Sequence, residues 1–91
     1  MNINEIMFYI QLKHNKEDVT EQKTLDGQLA FIQINKCKGA KINGMILFYN
    51  KLKISKNTMF FYYNNLLIGE VLDKMINKFE VIEGKNNGNR R

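Results

Sequence analysis

The sequence predicts a mainly α domain that ends in a small β-hairpin, and three observations carry that expectation. Apolar residues recur at helical spacing in three stretches. Ser55 stands where a helix needs its N-cap, just after the apolar turn residue Ile54. The runs Val71 to Lys74 and Lys78 to Ile82 flank Met75-Ile76-Asn77 as the arms of a hairpin would. Together these features describe a dimeric winged helix-turn-helix, with the hairpin as its wing. The expected domain spans residues 1–83, and residues 84–91, which lack apolar side chains, form a basic, disordered tail.

Taken in order, Asn2 with Glu5 three residues on resembles a capping box, and Ile3, Ile6, Met7 and Ile10 keep a helical period. Ile6, Phe8, Ile10 and Leu12 also alternate, so a strand over residues 3–13 competes with the helix. From Thr24 to Cys37, Leu25, Leu29 and Ile32 share one helical face, with Gly39 as a stop. Asn43 caps a short second helix directed inward through Leu47 or Phe48 and Leu52. After the turn at Lys53-Ile54, a third helix opens at Ser55. Its core face is Met59, Tyr63 and Leu66, and its opposite stripe is Asn57, Phe61, Asn64 and Ile68, flanked by Phe60. An exposed stripe of that kind needs a covering subunit.

Charge points to an anionic partner. The chain has 91 residues and a net charge of +5, and between Asp26 and Glu70 it holds six lysines and no acid. Glu17, Asp18, Glu21 and Asp26 cluster early, as acids at a helix start do. One cysteine, Cys37, and one histidine, His14, cannot form an internal disulfide or a structural zinc site. A reduced, cytoplasmic setting is therefore expected, with no metal and no cofactor. His14, among polar neighbours, is expected at the surface, and Cys37 as a small buried hydrophobe near a helix end. No apolar run reaches membrane-spanning length, and no arrangement of nucleophile, base and orienter marks an enzyme.

An all-β reading competes. Asn43-Gly44 and Asn64-Asn65 are hairpin-turn pairs, and Met45 to Tyr49 and Met59 to Tyr63 have strand composition. On that reading the aromatics form a stacking platform for single-stranded nucleic acid.

Leu29-Ala30-Phe31-Ile32, the run Leu52-Lys53-Ile54-Ser55-Lys56-Asn57-Thr58-Met59-Phe60, and Lys78-Phe79-Glu80-Val81-Ile82 together resemble the TubR family. These are winged-helix centromere-binding proteins of the type III plasmid and phage partition systems. The resemblance covers roughly residues 24–83 and centres on a motif shared by winged helices generally. It implies sequence-specific binding to repeated double-stranded DNA sites by a homodimer, recruitment of a TubZ-type tubulin-like GTPase, and repression of the protein's own operon. Lys53, Ser55, Lys56, Asn57 and Thr58 would contact DNA from the recognition helix, Lys74, Asn77 and Lys78 from the wing, and Lys85, Arg90 and Arg91 from the tail. Phe60, Phe61, Asn64 and Ile68 would form the dimer interface. An origin-of-transfer accessory protein, a plain repressor of the same fold, and a phage inhibitor of a host protein are the rival functions.

Overall fold

Short turns that only a few residues tolerate organise this chain, and they organise it as a sheet. The structure, a computed structural model, describes residues 2–14, 19–23 and 29–83. Helix α1 (Ile3–His14) precedes β1 (Val19–Lys23), β2 (Leu29–Ile42), β3 (Met45–Ser55), β4 (Thr58–Tyr63) and β5 (Leu66–Leu72). A short 3-10 turn (Asp73–Met75) then leads to β6 (Phe79–Glu83). All pairings are antiparallel, in the order β1-β2-β3-β4-β5, and β6 pairs β2. β1 runs along the first part of β2, from Leu29 to Ile34, whereas β6 runs along its last part, from Lys38 to Ile42. Between these parts the β2–β3 register shifts, from Gln33↔Lys51 to Lys38↔Tyr49, the irregularity that bends a long strand.

Three of the hairpins close through two-residue turns. Asn43 (φ 50) and Gly44 (φ 91) join β2 to β3, and Asn64 (φ 50) and Asn65 (φ 69) join β4 to β5. Both central residues are left-handed, the geometry whose twist matches that of the flanking strands, and Asn and Gly are the residues that reach it at least cost. Lys56 (φ 56) opens the β3–β4 turn, where its sequence signal is weak.

Asn43 also ties its turn to the link before β6. Its side-chain amide donates to the Met75 carbonyl at 2.8 Å, and its Oδ1 accepts from the Asn77 and Lys78 N–H groups at 2.8 and 3.0 Å. Asn43→Ala loses these bonds and the residue suited to positive φ. A destabilisation of about 1–3 kcal/mol is expected, discounted for an exposed site. Asn43→Gly, which keeps the φ, should lose less, and denaturant titration of both variants separates the two contributions.

The core lies inside the bend, under α1. Ile6 and Ile10 from the helix meet Ile32, Tyr49, Leu52, Met59, Phe61 and Ile76, all at most 1% exposed. The helix begins with the expected capping box: the Glu5 N–H donates to Asn2 Oδ1 at 3.0 Å, and the Asn2 N–H donates to Glu5 Oε1 at 3.4 Å. Its last residue, His14, is 0% exposed, and its Nε2 shares a 2.8 Å hydrogen bond with the Tyr49 hydroxyl. The surface position expected for His14 is therefore corrected. Cys37 lies half-buried in β2, a strand and not a helix.

Burial, and after it the neighbouring Cys37, push the Tyr49 phenol far above the usual tyrosine value; burial pushes the Cys37 thiol up as well. A raised folded pKa means the folded state holds its proton longer than the unfolded chain. The Tyr49 contribution is thus intact below about pH 10, the unfolded value, and is lost as pH climbs towards the folded one. Tyr49→Phe should cost about 0.5–1.5 kcal/mol at neutral pH through the lost bond to His14. It should also flatten the fall in stability that thermal melts above pH 10 are expected to show.

The mainly α winged helix-turn-helix is overturned. The first proposed helix, where described, is β2, the second is β3, and Ser55, Lys56, Asn57 and Thr58 form the end, turn and start of the β3–β4 hairpin instead of a recognition-helix N-terminus. Asn43 caps no helix. Val71 to Ile82 is no wing, because β5 pairs β4 whereas β6 pairs β2. The stripe assigned to a second subunit is divided as well. Phe61 is fully buried in its own chain, Ile68 packs against the same core, and Phe60 lies on the outer side of the sheet. Asn64 serves the β4–β5 turn, its N–H and Oδ1 bonded to the Asn50 side chain at 3.1 and 3.0 Å.

Candidate nucleic-acid interface

On paired strands, directly opposed residues share a face, so the registers show which side chains sit together on the outside of the sheet. One row crosses Gln22, Phe31, Lys53, Phe60 and Glu70; the next crosses Thr20, Gln33, Lys51, Tyr62 and Leu67. The alternate positions Ile32, Leu52, Met59 and Phe61 are buried, so these two rows face away from the core. Three rings and two ammonium groups thus interleave across β2, β3 and β4. Phe31, Phe60 and Tyr62 are each half-buried, and Lys53 is exposed.

Lys51 organises the group. Its Nζ lies 5.5 Å from the Phe31 ring centroid and 5.1 Å from that of Tyr62, so one cation bridges two rings on neighbouring strands. Within these two rows Glu70 is the one carboxylate, at the β5 edge beside Phe60. The acid-free stretch between Asp26 and Glu70 builds most of this face, and of its six lysines Lys51 and Lys53 lie in these two rows.

The expected contact residues divide into groups. Lys53, Ser55, Lys56, Asn57 and Thr58 remain together, now on one hairpin, with Ser55 opposite Thr58 and continuing the Lys53 face. Lys74 lies in the 3-10 turn, which is held to that hairpin by the Asp73 N–H donating to the Asn57 carbonyl at 2.8 Å. Asn77 and Lys78 sit apart, bound by their backbone to Asn43 at the β2–β3 turn. Lys85, Arg90 and Arg91 lie outside the described residues. Phe31 and Lys51 belong to neither set of expected contacts, and Tyr62 enters only through the all-β reading, although the i, i+2 spacing of Lys51 with Lys53 and of Phe60 with Tyr62 marks them once the segments are strands.

Among the described residues no group of three His, Cys, Asp or Glu side chains is placed to hold a metal ion. No helix there is long and apolar enough to cross a membrane. No family model matches the chain, and comparison with curated proteins and with solved structures gives no match.

Proposed function

We propose that this protein is a non-catalytic module that binds single-stranded nucleic acid across the outer face of β2, β3 and β4. The observation that carries this reading is the interleaving of Phe31, Phe60 and Tyr62 with Lys51 and Lys53 on one acid-poor sheet face. Unpaired bases expose π-faces that stack on aromatic rings, and the ammonium groups accompany the phosphates that follow each base. Lys56, Asn57, Ser55 and Thr58 extend the phosphate path along the β3–β4 turn. A cytoplasmic setting belongs to the same proposal and rests on the single cysteine.

The partition-adaptor expectation rested on a recognition helix, and the segment assigned to that helix forms strands. Duplex and single-stranded binding are separated by fluorescence anisotropy with one labelled sequence, alone and annealed to its complement, over a range of salt. The single strand should bind more tightly, with log K falling against log salt by roughly 0.7 for each phosphate engaged. Lys51→Ala should remove about one such unit. Tighter binding to the duplex would overturn the proposal and return the case to a duplex-DNA adaptor.

A further inference from the structure

At the other end of β3 from the Lys56 turn, a cleft of ≈ 1050 Å³ opens between α1, the β2–β3 turn and the start of β6. The cleft is open to solvent, and its volume lies just above the usual range of small-ligand sites, roughly 300–1,000 Å³. Its walls carry Tyr9, Lys41, Asn77, Lys78 and Glu80. Lys41 and Glu80 are cross-strand partners, so a positive and a negative group project from one face. Among the described residues no carboxylate lies within ion-pair distance of either lysine. Tyr9 is half-buried, edge-on to Phe79 with ring centroids 6.2 Å apart, and Lys13 Nζ sits 5.3 Å from its ring centroid.

The wall is also held in place. Asn43 engages Met75, Asn77 and Lys78 through its side chain, and its N–H donates to the Lys78 carbonyl at 3.0 Å. Lys41 and Lys78 therefore project from backbone that is fixed before any ligand arrives, which lowers the ordering cost of binding.

The geometry points to a second binding site here, one that takes a nucleoside 5′-monophosphate group, either free or at the end of a strand. Lys41 and Lys78 meet the phosphate. Tyr9 offers a ring against which a base lies. The Glu80 carboxylate accepts from ribose hydroxyls or a base amino group, which a simple anion lacks. A site for inorganic phosphate alone would gain nothing from the ring and would be opposed by the carboxylate. This site is separate from the proposed stacking face and stands or falls independently of it.

The test is an NMR titration of the full chain, labelled with nitrogen-15, with AMP, adenosine and inorganic phosphate. AMP should shift the amides of Tyr9, of residues 41–44 and of residues 77–80, with adenosine and phosphate at least about tenfold weaker. Lys41→Ala and Lys78→Ala, at exposed positions that the core does not need, should each weaken AMP about tenfold. Phe60→Ala should leave the AMP-induced shifts of Tyr9, of residues 41–44 and of residues 77–80 unchanged, so failure of the stacking face would not be mistaken for failure of the cleft. Competition by an oligonucleotide carrying a 5′-phosphate, but not by its 5′-hydroxyl form, identifies a strand end as the source; competition by neither identifies the free nucleotide, and equal competition by both would overturn the phosphate site. Phosphate binding as tightly as AMP, shifts confined to other regions, or unchanged AMP affinity in both lysine variants would overturn the site.

Discussion

Phe61→Asp is expected to abolish folding, with loss of the sheet signal in circular dichroism and of any cooperative melt. Phe61 is 0% exposed, opposes Leu52 and Gly69 on its neighbouring strands, and lies edge-on to Tyr49 with ring centroids 5.4 Å apart. Emptying such a site costs about 3–5 kcal/mol, and a carboxylate placed there without a partner costs several more. A domain of this size has roughly 5–15 kcal/mol in total. Phe61→Leu keeps the site apolar and should stay folded with a lowered melting temperature, which shows that the Asp variant fails through its charge and lost volume. A folded Phe61→Asp protein with native circular dichroism would place Phe61 outside the core.

The second large effect belongs to binding. Phe60→Ala and Tyr62→Ala should each lower the affinity for a single strand by about 5- to 150-fold, the range given by roughly 1–3 kcal/mol per stacked base. Both side chains lie on the outer face, so the fold should persist in both variants. Tyr63, one residue further along β4 and on the opposite face, serves as the control: Tyr63→Ala should bind as the parent does. Because Lys51 contacts both Phe31 and Tyr62, the losses from Lys51→Ala and Tyr62→Ala should combine non-additively, and a double-mutant cycle reads their coupling. Undiminished affinity in a Phe60→Ala/Tyr62→Ala double variant would remove the face from recognition.

The sequence disclosed some of this and concealed the rest for identifiable reasons. The capping box at Asn2 and Glu5 is local chemistry, and it was legible. Asn43-Gly44 and Asn64-Asn65 were also legible as turns, and they were the decisive signals, since a turn at Asn64-Asn65 falls inside the third helix, which was assigned from Ser55 through Leu66 and Ile68. The misreading arose because β4 carries apolar or aromatic side chains on both faces, so Met59 to Tyr63 shows no alternation. Meanwhile Leu25, Leu29 and Ile32 happen to keep a helical spacing where the chain from Leu29 onward is a strand. The burial of His14 had no local signal at all, because it depends on the end of α1 reaching Tyr49, 35 residues away. The basic, acid-free stretch contains Lys51 and Lys53, but the partners of Lys51 could be named only once three strands were in register.

The pairing of β6 with β2 also bears on how the chain is made. Every other strand pairs with a neighbour in sequence, whereas Ile42 and Lys38 must wait for Phe79 and Glu83. The hairpins can therefore close in microseconds as the chain emerges from the ribosome, while the last part of β2 keeps an open hydrogen-bonding edge beside Gly39 and Ala40 until Phe79–Glu83 has been synthesised. During that interval the nascent sheet presents an edge on which another extended chain can pair, and the docking of this one strand is what closes it.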